Sequence, residues 1–239
     1  MNISKGGLYA LILITLLQSQ LFAEYLYKDD LIHNNKFTEE VNSIGSDLYK
    51  QTNISLKLLM LKSIPEDLTV YEYEQKILKE FTEPTILLTF SEKNRFVDIE
   101  TNDESLYKYF NKKQVLSPVT SYVQGLMMAL FYAQNFDDFI SIIKNNGGTI
   151  LPLLGGKAKA DRLHGKYSAA MFNGYLDIAQ QVSKAKGVKL ANGYDSSTNQ
   201  DTLFYVKLLF YSVLLYAIIM YIRRFIYRRR HKDEHFKKW

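Results

Sequence analysis

The chain contains no cysteine among its 239 residues. That absence excludes a disulfide framework, a thiol nucleophile and a thiolate metal site together, so the fold must hold by core packing alone. Histidine is nearly as scarce. Between residues 24 and 202 only His33 and His164 occur. Both fall in segments that read as loops, and each reads as a surface histidine rather than a general base. No serine lies in a G-x-S-x-G elbow, so Ser–His–Asp catalysis has no local support. The run GGKAK at 155–159 lacks the rest of a phosphate-cradling loop. Leu151 stands where that motif needs its first glycine, and Ala158 where it needs serine or threonine. EF-hand spacing and internal repeats are also missing.

An excess of positive charge over the central part of the chain is missing too. The whole chain is +5, with a pI near 9.0. Residues 24–202 carry 20 Lys and Arg against 23 Asp and Glu, about −3. The basic character belongs to the C-terminus, where Arg223, Arg224, Arg228, Arg229, Arg230 and Lys232 cluster. That cluster abuts a long apolar run rather than covering a domain face, which argues against a nucleic-acid partner.

The apolar run is Leu203–Ile222, LFYVKLLFYSVLLYAIIMYI. Twenty residues at about 1.5 Å each reach ~30 Å, the thickness of a bilayer's hydrocarbon core. Lys207 is its only charge, near one end, where a long side chain can snorkel. Arginines directly behind a span mark the cytoplasmic side. At the other end of the chain, Met1–Ala23 has Lys5, the apolar stretch Leu8–Leu17, and the small residue Ala23. This reads as a signal peptide cut before Glu24, the alternative being an uncleaved anchor. The expected order is therefore signal peptide 1–23, domain 24–190, polar linker 191–202, span 203–222 and basic cytoplasmic tail 223–239. The domain lies in the periplasm or outside, and the bilayer is one partner.

Within the domain, Tyr25–Lys36 reads as polar and irregular. Phe37–Lys50 is a helix by the spacing of Phe37, Val41, Ile44 and Leu48, with Glu39 and Glu40 in its first turn. Thr52–Asn53 ends it. Ile54–Ile64 is almost continuously aliphatic, as in a central strand covered on both faces. Thr69 and Glu72 form a capping box for a second helix, with Tyr73, Ile77 and Phe81 on one face. Thr85–Ser91 and Arg95–Thr101 form a hairpin around Glu92–Asn94. Asp103–Asn111 is a short helix. Ser117-Pro118 starts another, whose stripe of Val119, Tyr122, Val123, Leu126, Met127, Leu130 and Phe131 is expected in the core. Asp137–Asn145 is helical up to Gly147-Gly148. Ile150–Leu154 leads into a basic loop holding Lys157, Lys159, Arg162 and Lys166. Tyr167–Lys186 is a long helix with Met171, Gly174, Ile178 and Val182 inward, and Val188–Leu190 is a candidate edge strand. This alternation predicts an α/β layered fold.

The order of these elements resembles the TPM domain family, the thylakoid-lumen, photosystem-repair and receptor-modulator group. The matching residues are Thr52-Asn53-Ile54 entering the first strand, Val97-Asp98-Ile99 in the hairpin, and Ile150-Leu151-Pro152. These are followed by Tyr167-Ser168-Ala169-Ala170 and Gly174. The resemblance covers roughly 25–190. It implies a three-layer α/β/α sandwich with a small mixed sheet and one C-terminal transmembrane helix. It also implies an envelope role in assembly, repair or modulation of membrane proteins, and some relatives are acid phosphatases or calcium binders. After its hairpin this chain has ETNDESLYKYFNKKQVLSP in place of the family's glycine-containing acidic motif, and Val119–Phe131 is an additional apolar segment.

The densest carboxylates are Asp98, Glu100, Asp103 and Glu104. Asp98 and Glu100 share a strand face by the two-residue period. Asp29 and Asp30, in the entry segment, approach the same sheet end in the resembled fold. Oxygen ligands of this kind suit Ca²⁺ or Mg²⁺, and the alternative is a solvated acidic loop. Asn173 and Asp177 read as an exposed helix edge. The expectation is a non-enzymatic accessory module for a membrane-protein partner, with a metal-assisted phosphatase using Asp98, Glu100, Asp103, Asp29 and Asp30 as the alternative.

Overall fold

A computed structural model of the chain describes residues 25–191 and 197–235. The expected signal peptide lies outside them. The chain divides into two compact units, Met1–Tyr194 and Asp195–Trp239. Each is treated by itself.

The first unit is built on a mixed sheet of four strands in the order β1 (Leu26–Asp29), β2 (Ser55–Leu61), β3 (Thr85–Ser91) and β4 (Phe96–Thr101). The first three are parallel, and β4 returns antiparallel to β3, pairing Ile86 with Thr101 and Ser91 with Phe96. All seven residues of β2 and all seven of β3 are buried. Aliphatic runs without polar alternation belong in such strands, because both faces are covered. One residue interrupts the pattern: Lys57 is buried on β2, its ammonium 4.8 Å from the Tyr25 ring centre and 5.3 Å from that of Phe81.

β1 corrects the reading of Tyr25–Lys36 as irregular. Its four residues carry little strand signal, and tertiary pairing decides their conformation. Asn42 Oδ1 accepts from the backbone N–H of Tyr25 at 2.7 Å and of Leu26 at 3.2 Å, and Leu58 N–H donates to Tyr25 O at 2.8 Å. The opposite correction applies at Val188–Leu190, which is not a strand. Gly187 (φ 70°) ends the preceding helix. The N–H groups of Gly187 and Val188 donate to Lys184 O and Ser183 O. Those donors close a Schellman cap and are spent on the helix end.

The helices are α1 (Asn35–Thr52), α2 (Val70–Leu78), α3 (Lys112–Val115), α4 (Tyr122–Tyr132), α5 (Phe136–Lys144), α6 (Leu151–Gly155) and α7 (Leu163–Ala185). Asn34 caps α1, so Glu39 and Glu40 fall beyond its first turn, contrary to expectation, and Asn53 (φ 56°) ends it. The Thr69–Glu72 capping box of α2 forms as expected. The segment Asp103–Asn111 holds only a 3-10 turn, Glu104–Lys108. α7 begins at Leu163, so the end of the expected basic loop is helical.

Two apolar clusters flank the sheet residues. In one, Phe37, Val41, Ile44 and Leu48 of α1 and Met171, Tyr175 and Ile178 of α7 join Leu56, Leu58, Ile86 and Leu88. In the other, Ile77 and Leu78 of α2 join Leu59, Leu61 and Leu87. The close approach of α1 to α7 depends on Gly45, where a Cβ would overlap the Tyr25 ring and the Tyr175 hydroxyl. Tyr175 is fully buried, and its hydroxyl donates to Leu56 O at 2.8 Å.

The second unit is one helix, α8 (Ser197–His235). It begins inside the segment expected to be a polar linker and runs through the arginine cluster. Within it, Leu208–Arg229 is long and apolar enough to cross a membrane, with a mean hydropathy of 1.6 and none of it buried.

Candidate functional site

The structure gathers polar side chains on the sheet face beneath α2. Thr89 on β3 is paired with Asp98 on β4, and Leu87 with Glu100. The two-residue strand period therefore sets Asp98 and Glu100 on one face, as their spacing predicts. α3 then delivers Lys112 between them, its Nζ 2.8 Å from Asp98 Oδ1 and 2.7 Å from Glu100 Oε1. Burial works against the charge on Lys112, but the two carboxylate hydrogen bonds outweigh it and its pKa is raised. Tyr107, from the 3-10 turn, donates to Glu100 Oε2 at 3.2 Å. Its pKa is raised, first by burial.

Glu74 completes the cluster from α2. It is 1% exposed. Among the described residues its carboxylate faces only the Thr89 hydroxyl, and neither group closes a hydrogen bond of full geometry with any other partner. Burial pushes the Glu74 carboxyl up to about 7, and the charges of Asp98 and Glu100 push the same way. The nearby Thr89 hydroxyl and Lys112 pull against this without cancelling it. At neutral pH the group thus sits near half-protonation, the range in which a carboxyl exchanges a proton with small changes of surroundings.

The expected five-carboxylate site is not brought together. Asp29 lies in register with Met60 at the C-terminal end of the parallel strands. Asp103 follows β4, whose C-terminal end is beside the N-terminal end of β3. Asp29 closes its own turn, accepting from Leu31, Ile32 and His33 N–H at 2.7–3.0 Å. Asp30 pairs with Lys28 at 3.4 Å. Asp103 caps the 3-10 turn, and its hydrogen bonds from Ser105 lower its pKa. Among the described residues no group of three or more His, Asp or Glu side chains is placed to hold a metal ion.

Other expected surface residues have structural roles. Asp177 is not on a free helix edge: it accepts from Thr149 Oγ1 at 3.1 Å, Gln114 Nε2 at 3.2 Å and Gln181 Nε2 at 3.0 Å. Lys166 closes the basic segment by donating to Leu154 O at 2.8 Å and Gly156 O at 3.1 Å.

The largest departure from expectation concerns α4. Ser121, not Ser117, caps it. Val119, ahead of the helix, is buried as expected, but the stripe on α4 itself does not enter the core, because α4 and α5 form a hairpin that packs mainly on itself. Neither apolar cluster contains a hairpin residue. Gly125 and Ala129 are buried in the contact with α5, and Tyr122, Val123, Met127, Leu130 and Phe131 are exposed.

No family model matches the chain, and no curated protein matches it.

Two residues of the polar cluster escaped the sequence reading. Glu74 left a signal, since 74, 77, 78 and 81 share helical spacing and place a carboxylate among Ile77, Leu78 and Phe81. Lys112 left none, because only the tertiary fold sets α3 beside β4.

Proposed function

We propose that the chain is a membrane-anchored accessory module. In this reading a TPM-like domain, finely an α/β/α sandwich, is held outside the cytoplasmic membrane by α8. The arginine cluster 223–230 faces the cytoplasm, and the domain acts by binding a membrane-protein partner. The observation that carries the reading is the helix Leu208–Arg229, 22 residues with none buried. Its arginines begin at Arg223, and the exposed apolar part before them continues the apolar run from Leu203 and suits a bilayer by length and composition. Tethering confines the domain to the membrane surface and raises its effective concentration near other membrane proteins. The two apolar clusters on alternate strand residues support the layered arrangement.

The polar cluster supports binding over phosphate chemistry. A metal-assisted phosphatase needs Asp98 and Glu100 free for a cation, and Lys112 already pairs with both.

Cross-linking in intact membranes tests the proposal. One discrete membrane-protein adduct is expected for the full chain. Phosphomonoester hydrolysis by the purified full chain, abolished by Asp98→Asn without loss of fold, would replace this reading with the phosphatase. A reporter fused after Trp239 should be active only in the cytoplasm.

A further inference from the structure

The α4–α5 hairpin is a discrete excursion from the domain. Its two ends are pinned together: Thr149 N–H donates to Val115 O at 3.3 Å, and the N–H groups of Gly147 and Gly148 donate to Val119 O at 2.8 Å. Gly148 is required there, since a Cβ would overlap Ser117 O. Beyond this base, α4 approaches α5 closely at Gly125, where a Cβ would sit 3.6 Å from Ile142 O, and Ala129 is buried one turn on. Most side chains left outside are apolar, with Gln124, Gln134 and Asn135 as exposed polar exceptions, and the apolar ones grow more exposed toward the tip. Leu130 is 63% exposed, Phe131 74%, Tyr132 71% and Phe136 75%. No charged residue lies between Lys113 and Asp137. Four large apolar side chains exposed this close in sequence mark an interaction site.

Two observations choose the occupant. First, the tip combines aliphatic Leu130 with Phe131, Tyr132 and Phe136, the aromatic mixture found where bilayer meets water. Second, the hairpin is too short to span. The 11 residues of α4 rise only about 16 Å against the ~30 Å of a hydrocarbon core.

We propose that the hairpin is a second membrane contact: its tip seats Leu130, Phe131, Tyr132 and Phe136 in the interfacial layer of the bilayer that α8 crosses. This rests on the anchored reading above. Asp137 and Asp138 open α5 next to the tip, and Lys144 lies at the helix's far end. The carboxylates hold the tip at headgroup depth and give no attraction to anionic lipid. The contact is therefore apolar, present in zwitterionic membranes and insensitive to salt.

The absence of native cysteine makes any introduced thiol unique. The full chain is reconstituted into phosphatidylcholine nanodiscs with a polarity-sensitive fluorophore on Phe131→Cys, Phe136→Cys or, on α2, Tyr71→Cys (Tyr71 is 62% exposed). Lipids carry spin labels on their acyl chains near the headgroup. The expected result is blue-shifted emission and strong lipid quenching at both tip positions, little at Tyr71, and no change with salt. Adding Leu130→Ser and Tyr132→Ser to the Phe136→Cys chain should reduce the quenching severalfold, and these exposed sites leave the core intact.

Equal quenching at tip and control, or none at the tip, overturns the proposal. A tip shielded from aqueous iodide but unquenched by lipid also overturns it, because a protein surface then covers the hairpin. Alkaline carbonate extraction of the same samples reports α8 separately. Loss of the chain from the discs defeats the anchored reading, whereas retention with an unquenched tip defeats only the hairpin contact.

Discussion

Glu74 offers the sharpest test of the packing described above. Its carboxyl moves from an ordinary 4.5 to about 7 on folding, chiefly through burial. The folded state therefore holds the proton more tightly than the unfolded chain. Between about pH 4.5 and 7 the unfolded chain has released a proton that the native protein keeps. Stability from this group is fully present below the unfolded value, falls as pH rises, and levels off above about 7. Each pKa unit is worth about 1.4 kcal/mol, so the fall amounts to about 3 kcal/mol. For a domain of this size that is a Tm decrease of about 6–12 °C. Glu74→Gln keeps the shape and removes the titration. The assay is a near-ultraviolet circular dichroism melt of the full chain in non-ionic detergent at pH 5 and pH 8. The wild type should melt lower at pH 8, while Glu74→Gln should match it at pH 5 and exceed it at pH 8. An unchanged pH slope in the variant refutes the assignment, whatever its absolute stability.

Two further outcomes follow from named contacts. Lys112→Met leaves Asp98 and Glu100 adjacent without their shared cation, and should cost about 2 kcal/mol. It also removes an influence that lowers the Glu74 pKa, so the pH-dependent loss of stability should extend to higher pH in the same melts. Gly45→Ala gains about 1 kcal/mol of helix propensity but drives a methyl group into Tyr25 and the fixed Tyr175 hydroxyl. Overpacking of that kind outweighs the gain, and a net loss of about 2 kcal/mol is expected by chemical denaturation.

The readings that succeeded and those that failed divide by range of interaction. The Thr69–Glu72 box, the break at Asn53 and the stop at Gly187 depend on residues within one turn, so their chemistry was visible in order along the chain. The site was half visible. Asp98 and Glu100 share a face by strand geometry alone, but their meeting with Glu74 and Lys112 needs α2 and α3 to arrive from elsewhere. Asp29 and Asp30 were expected nearby, but they belong to β1 and the turn after it, at the sheet edge opposite β4, with β2 and β3 between.

By itself the sequence determined the long apolar helix with its arginine flank, the exclusion of thiol chemistry, and the buried character of β2 and β3. Each of these is a property of composition or of a continuous run. Only the tertiary structure decided that Leu26–Asp29 pairs as a strand while Val188–Leu190 is used in a helix cap. It also decided that the apolar stripe of α4 faces outward. A hydrophobic period specifies that a face must be covered, but not by what. For α1 and α7 the cover is the sheet. The α4–α5 hairpin packs on itself, so its outer face is left for a surface beyond the domain.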